Sequence, residues 1–268
     1  MQNQNKKPYN APALSIEELS KGLYESNLKL DDINKRQSEF FSNISHDLRS
    51  PIAAIKTAIE YLQSTPDIDP SETKKLYKLI YKKAASLDYM INEVFFLTKL
   101  DTNSDIIKPV LIPCGNYLED FFFTAEADSK FKNISLRLDV PLDFNHMINI
   151  DPNYFERVLN NLFDNAFRYL ESDGCITLKA TTNNQADKVF ISVIDNGSGI
   201  DPTNLSRIFE RSFTGDTSRT PDDKTGAGLG LSICKRIIEI HNGTISCDSK
   251  TGSNHGTCFT ITLPIFKS

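Results

Sequence analysis

Apolar residues recur every three to four positions along the first hundred residues, the spacing of one helix face. The first series keeps a heptad rhythm, a second begins in a shifted phase beside Pro51, and a third predicts a helix from about Ser71 to Leu100. Proline removes a backbone donor, so we expect a bend at that junction. The series are Ile16, Leu19, Leu23, Leu30, Ile33, Phe40 and Ile44; then Leu48, Ile52, Ile55, Ile59 and Leu62; then Leu76, Ile80, Leu87, Ile91, Val94 and Leu97.

The heptad series predicts a coiled coil over residues 16–38, after a polar tail at 1–15 that we expect to be disordered. The other two series predict a helical hairpin over residues 39–102, turning around Ser64 to Asp69. Asp69 as cap, Pro70 in the first turn and Glu72 at capping-box spacing mark the start of the second helix.

The apolar stripe of this hairpin is too large to leave in water. Pairing two copies would bury it as a four-helix bundle, so we expect a homodimer. A generic coiled-coil stalk would show the same pattern.

Strand and helix patterns alternate after residue 102 and predict an α+β fold, a two-layer α/β sandwich over residues 103–268, with a boundary near Asp101 to Ser104. The predicted strands are Ile107 to Ile112, Ile134 to Val140, Ile176 to Thr181, Val189 to Ile194, Thr244 to Cys247 and Thr257 to Leu263; the predicted helices are Asn116 to Ala127, Pro152 to Leu170 and Leu229 to His241.

Composition excludes some classes of ligand and location. With 30 basic and 35 acidic residues, a formal net charge of -5, the chain is not expected to bind nucleic acid or an anionic membrane as its main ligand. The five cysteines form no CxxC pair, which is typical of reduced thiols in a cytosol. No apolar run approaches the ~18 to 20 residues of a membrane helix. We expect a cytoplasmic chain, or the inner-face portion of a membrane-anchored receptor.

The segment ISHDLRSP places His46 on a helix beside Asp47. With Ile44 and Leu48 on the seam, the imidazole is expected to face solvent. A carboxylate that holds one ring nitrogen protonated leaves the other free to act as a nucleophile. A solvated surface pair would look the same.

The segment NLFDNAFRY lies inside a helix that begins at Asp151 and Pro152. Asn161 and Asn165 are four residues apart, so both amides share one helix face, and Arg168 and Tyr169 follow within a turn. These four residues are candidates to bind a metal-bound nucleotide. The solvent-exposed face of an ordinary amphipathic helix would also account for these polar residues.

The segment VIDNGSGI ends an apolar strand with Asp195, and Gly197 and Gly199 follow. A carboxylate there can accept a hydrogen bond from an exocyclic amine, while the two glycines allow close approach to a flat ligand. A simple turn remains an alternative.

The segment GAGLGLSI opens a helix with Gly226, Gly228 and Gly230, whose free N–H groups and positive helix end suit phosphates. The polar stretch before it is a candidate lid, with Arg219 and Lys224 available to phosphates. An ordinary solvated loop would show the same polar pattern.

Taken together and in order, these segments resemble the sensor histidine kinase family. ISHDLRSP is similar to the phosphoacceptor box, NLFDNAFRY to the asparagine box, DNGSG to the first glycine box, IFERSF to the phenylalanine box and GAGLGL to the second glycine box. The ending GTCFTITLP also looks like the last strand of that family.

The resemblance implies a signalling coiled coil and dimeric helical bundle, followed by an ATP-binding sandwich of the gyrase and chaperone type. It implies His46 as the phosphorylated residue, Asp47 as the acid that orients or deprotonates it, and Asn165 as the Mg2+ ligand. The remaining implied nucleotide contacts are Asn161, Arg168, Tyr169, Asp195, Gly197, Gly199, Gly226, Gly228 and Gly230.

It also implies ATP and Mg2+ as cofactors and a response-regulator receiver domain as the partner that accepts the phosphoryl group on an aspartate.

Three positions depart from the usual pattern. Ser50 stands where threonine or asparagine is usual, which puts phosphatase activity in doubt. Arg168 stands where lysine is commoner, which keeps the charge but changes its geometry. Ser212 stands where a second aromatic residue is usual, so we expect lid closure to differ.

Two other functions remain open from the sequence. A gyrase-type or chaperone-type ATPase would explain Asn165 and Asp195 but gives no role to the HDLRSP helix. A dimeric scaffold with a degenerate nucleotide site is the second alternative, and the intact Asn165, Asp195 and Gly228 argue against it.

Overall fold

The computed structural model describes residues 16–102, 106–170, 173–211, 213, 228–252 and 255–266. The chain divides into two compact units, Met1–His46 and Asp47–Ser268. In the first unit, the described part is helical throughout. The predicted disordered tail at 1–15 lies outside the described residues.

Two long helices form the first part of the fold. Helix α1 spans Ile16–Ser64 and continues through Pro51, so the series on either side of that proline belong to one helix. Helix α2 spans Pro70–Thr102. The Asp69 carboxylate caps α2 by accepting a hydrogen bond from the Ser71 N–H at 2.7 Å. Hydrogen bonds from the side chain and then the backbone of Ser71 lower the pKa of Asp69. The Glu72 carboxylate accepts from the Tyr61 hydroxyl at 3.3 Å, which ties the two helices together beside the turn.

Many apolar side chains of these helices remain exposed. Ile52 is 53% exposed and Ile59, seven residues later on the same stripe, is 40% exposed. Others on the two helices are Leu23, Leu28, Leu30, Ile33, Phe41, Tyr77, Tyr81, Ile91 and Phe95.

The rest of the chain is a mixed sandwich, which confirms the predicted class of a helical hairpin followed by an α/β domain. Its strands are β1 Val110–Pro113, β2 Ser135–Asp139, β3 Met147–Ile150, β4 Cys175–Thr182, β5 Lys188–Asp195, β6 Thr244–Lys250 and β7 Gly256–Pro264. Its helices are α3 Cys114–Ala127, α4 Pro152–Tyr169, the short α5 Pro202–Leu205 and α6 Gly230–Ile240, with a 3-10 turn at Ser129–Phe131.

The strands form two sheets. Strands β1 and β3 make an antiparallel pair, while the larger sheet has the order β2-β4-β5-β7-β6. Strand β2 runs parallel to β4, and the other pairs of this sheet are antiparallel. Strand β3 has only four residues and was not predicted, because so short a run carries little periodicity.

The core lies between the larger sheet and the helices. Alternate residues of β5 and β7 face inward, and their register pairs Val189 with Leu263, Ile191 with Ile261, and Val193 with Phe259. Helices α4 and α6 cover this face, and α4 contributes Phe155, Val158, Leu159, Leu162, Phe163 and Ala166, all of them buried.

A buried histidine joins the ends of α4 and α6. His241 is 3% exposed; its Nε2 accepts a hydrogen bond from the Asp151 N–H at 2.8 Å, and its Nδ1 lies 2.7 Å from the Ile237 carbonyl oxygen. Since an amide can only donate and a carbonyl only accept, these contacts require a neutral ring protonated on Nδ1. Burial lowers the pKa of His241 in keeping with that state.

Candidate functional site

A cleft of about 580 Å³ opens where α4, the end of β5 and the start of α6 meet. That volume is within the range of small-ligand sites. Eight residues proposed from the sequence line it: Asn161, Asn165, Arg168, Tyr169, Asp195, Gly199, Gly228 and Gly230. Segments widely separated in the chain therefore contribute to one site.

Helix α4 directs the two asparagines toward the cleft because its opposite face packs in the core. Its start is fixed by Asp151, whose carboxylate accepts from the Asn153 N–H at 3.1 Å and, through its other oxygen, from the Lys108 N–H at 2.8 Å. With the core residues on one side, Asn161 and Asn165 lie half-buried on the cleft side. The amphipathic pattern therefore orients the amides.

Asp195 is the last residue of β5 and is 6% exposed. Its Oδ1 accepts a hydrogen bond from the Gly197 N–H at 2.8 Å. Burial raises the pKa of this carboxyl, although hydrogen bonds from the Gly197 and Thr257 backbones oppose the rise. A desolvated acceptor at the base of the cleft is suited to a ligand N–H donor.

Gly199 turns the chain back against the end of β6. Its φ of +75° is disfavoured for other residues, and a Cβ there would lie 2.0 Å from the Lys250 carbonyl oxygen. Gly197 does not line the cleft, but a Cβ on it would lie 2.6 Å from the Tyr169 carbonyl oxygen. These two glycines therefore allow the close packing of the loop that follows Asp195.

The start of α6 supplies the last wall. Gly228, Leu229, Gly230 and Leu231 line the cleft at the helix N-terminus, where free N–H groups and the helix dipole favour an anion. Gly226 lies outside the described residues, as do the proposed lid with Arg219 and Lys224, and Ser212.

The sequence did not identify several other lining residues. Phe213 and Ile208 belong to the stretch around the phenylalanine-box segment, which was noted only for its family resemblance. Asp164 lies between the two asparagines in the chain and forms an ion pair with Lys130. Tyr89 comes from α2, and no pattern in the sequence connects that helix with the cleft.

His46 is exposed on α1, as expected from the seam on either side of it. It is the last residue of the first unit, and Asp47, which is half-buried, begins the second.

The donor set of the cleft suits a metal that arrives with its ligand. Within residues 16–266, apart from the undescribed gaps, no group of three or more His, Cys, Asp or Glu could hold a metal ion. Mg2+ commonly takes one or two protein oxygens and completes its shell with phosphate oxygens and water. The Asn165 amide oxygen fits that mode of binding.

Across the part of the chain that the structure describes, no helix combines the length and apolar character needed to cross a bilayer.

Two family models match the chain. Residues 36–103 match the His Kinase A (phospho-acceptor) domain, and residues 150–267 match the histidine kinase-, DNA gyrase B- and HSP90-like ATPases. Together these matches cover more than two thirds of the sequence.

Sensor protein SrrB of Staphylococcus aureus (strain NCTC 8325 / PS 47) is 30% identical to the chain over 237 residues, which are 87% of this chain and 39% of that protein. The chain thus spans about two fifths of the length of the curated relatives it matches.

Two solved structures share the fold. Histidine kinase ThkA, solved in complex with response regulator protein TrrA, matches with a TM-score of 0.69 and 22% identity over 96% of this chain and 68% of that chain. Full-length ShkA in complex with AMPPNP matches with a TM-score of 0.59 and 23% identity over 85% of this chain and 46% of that chain.

Proposed function

Because the chain belongs to the sensor histidine kinase family, we propose that it binds ATP in the cleft, phosphorylates His46 and passes the phosphoryl group to an aspartate of a response-regulator receiver domain. The observation that carries this proposal is the cleft itself, which brings together eight residues proposed from the sequence. ShkA, of similar fold, was solved with a nucleotide analogue, which supports the choice of ligand.

In the proposed complex, the adenine amino group donates to the Asp195 carboxylate. Phosphates are bound by Asn161, Arg168 and the N–H groups at the start of α6. Asn165 holds Mg2+, which neutralises phosphate charge when bound.

In the proposed transfer, the unprotonated imidazole nitrogen of His46 attacks the γ-phosphorus. An N–P bond forms as the bond to the β,γ-bridging oxygen breaks, and ADP leaves with that electron pair. Asp47 holds the proton of the other ring nitrogen and accepts it as the product loses its positive charge. Positioning of the reactants and neutralisation of phosphate charge account for most of the rate enhancement of this transfer. The exposure of His46 is compatible with such an attack.

Two partners belong to this proposal. The exposed apolar stripe that includes Ile52 and Ile59 pairs two copies of the chain into a four-helix bundle. A receiver domain accepts the phosphoryl group, a role supported by the fold likeness to ThkA, which was solved with a response regulator.

Incubation with γ-labelled ATP tests the transfer. We expect wild type to acquire a label that is stable in alkali and labile in acid, and His46→Gln to acquire none. His146→Gln is the matched control, because its ring packs edge-on against Phe144 at 4.9 Å and lines no part of the cleft; it should label like wild type.

A label that persists in His46→Gln would assign the phosphorylated residue elsewhere. ATP hydrolysis by wild type without any protein-bound label would favour the ATPase alternative. A panel of receiver domains added to the labelled protein then identifies the partner as the one that removes the label fastest.

A further inference from the structure

Helix α2 contributes one residue, Tyr89, to the wall of the nucleotide cleft. The side chain is 52% exposed in total, so its ring lies at the rim and not within the core. The same cleft is lined by Asn161, Asp164 and Arg168 of α4. A residue of the hairpin thus lies beside the helix that carries both asparagines.

Tyr89 begins a stripe along α2 that packs against the sandwich. Glu93 follows four residues later and forms an ion pair with Arg157 of α4. Phe96 stacks on Tyr154 of α4, with ring centroids 5.6 Å apart, and the Arg157 guanidinium carbon lies 3.8 Å from the Phe96 ring centroid.

The C-terminal part of this stripe packs against α6. Leu97 and Leu100 are 1% and 0% exposed, and the Arg236 Nε lies 3.4 Å from a carboxylate oxygen of Asp101. Charge pairs, aromatic contacts and buried leucines therefore fix the register of α2 against α4 and α6. The position of Tyr89 at the cleft follows from this packing.

The environment of the Tyr89 hydroxyl suits a hydrogen-bond donor. Partial burial, with the charge of Glu93, raises the pKa of Tyr89, so the phenol stays protonated near neutral pH. Arg168 and Asp164 are also close enough to influence it electrostatically. A neutral O–H on the same cleft as Arg168 offers an anionic ligand a second donor without additional charge.

We propose that Tyr89 is a nucleotide-binding residue supplied by the hairpin, which closes the α4 side of the cleft with its ring and donates its hydroxyl to a phosphate oxygen of ATP. The inference rests on the proposed function, since it takes ATP as the ligand. Binding is reciprocal: whatever Tyr89 adds to nucleotide affinity, the nucleotide adds to the docking of α2 on the sandwich.

Titration calorimetry of the full chain with Mg-AMPPNP tests this proposal. We expect Tyr89→Ala to weaken binding roughly 10-fold and Tyr89→Phe about 3-fold, the scale of one hydrogen bond lost at a half-exposed site. Tyr81→Ala is the matched control, because Tyr81 is 78% exposed on the same helix and does not line the cleft. It should bind as wild type does.

Adenosine, which lacks all three phosphates, provides a readout that loss of structure would not reproduce. The penalty of Tyr89→Phe should fall below about 2-fold for adenosine measured by competition, because the proposed hydroxyl contact is to a phosphate. Equal penalties for adenosine and AMPPNP would contradict the phosphate contact. Wild-type affinity in Tyr89→Ala would overturn the inference alone, whereas a wild type that fails to bind Mg-AMPPNP would overturn the proposed function as well.

Discussion

The sandwich and the hairpin differ in how far one chain completes their packing. In the sandwich, the inward faces of β5 and β7 are covered by α4 and α6, and residues such as Leu162 and Ile261 are fully buried. On the hairpin helices, Ile52, Ile59 and Phe95 remain 40% to 63% exposed. The cleft is built on the part whose core is complete, whereas the exposed stripe is the face that we propose pairs with another copy of the chain.

This contrast separates two sources of stability. The sandwich gains its hydrophobic stabilisation within one chain, so its stability is independent of protein concentration. A bundle made by two copies gains it by association and depends on concentration. Substitutions in the two parts should therefore have different signatures.

The largest effect is expected at Phe163, which is 1% exposed and meets Phe121 edge-on at 5.1 Å. Phe163→Ala should lower the free energy of unfolding by about 3 to 5 kcal/mol, because it removes buried apolar surface and leaves a cavity. Urea denaturation followed by circular dichroism measures it. Phe123→Ala, at a ring 59% exposed on α3, is the control and should change this energy by no more than about 0.5 kcal/mol. Equal losses would contradict the assignment of the core.

The next effect concerns association. Ile59→Glu places a charge in the apolar stripe and should weaken the proposed homodimer by on the order of 100-fold, about 3 kcal/mol, with the sandwich still folded. Sedimentation velocity over a concentration series measures the dissociation constant.

Lys56→Gln is the control on α1, because the Lys56 side chain is 74% exposed and makes only a long surface ion pair with Glu60, at 3.7 Å. Its dimer should match that of wild type. An unchanged dimer in Ile59→Glu would remove this stripe from the interface.

The smallest effect is a dependence of sandwich stability on pH. Burial lowers the pKa of His241 below its ordinary value of 6.5. The unfolded chain therefore binds more protons than the folded chain once the pH falls below that value, and stability decreases toward the folded pKa. Between pH 7.5 and 5.5 the loss due to this ring should be on the order of 1 kcal/mol.

His241→Gln is the matched variant, since an amide can accept from the Asp151 N–H and donate to the Ile237 carbonyl without titrating. Urea denaturation of both proteins at each pH isolates the contribution of the ring, because the other titrating groups are shared. If both lose the same stability between the two pH values, His241 is not responsible.

Local patterns predicted most of the elements. The start of α4 at Asp151 and Pro152, and the ends of β5 and β7, follow from caps and alternation that neighbouring residues already carry. Strand β3 was missed because its four residues are recognisable as a strand only through pairing with β1. Helix α1 continues through Pro51, where the sequence predicted a bend.

The residues of the candidate site also fall into those that local patterns predicted and those that they did not. Asn161, Asn165 and Asp195 were identified because each lies in a motif whose chemistry is local. Tyr89 was not, because its place depends on the docking of α2, which involves the ion pair of Glu93 and Arg157 and the stack of Phe96 on Tyr154. Contacts between distant segments leave no periodicity in either one.

The parallel pairing of β2 with β4 has a consequence for how the molecule folds. The connection between these strands contains β3 and α4, so pairing them closes a loop that includes the helix with both asparagines. Closing that loop costs less entropy once α4 is already ordered, and the paired edge in turn restrains the ends of the loop. We therefore expect helix α4 and this edge of the sheet to form one cooperative unit, whose backbone amides become protected from hydrogen exchange together.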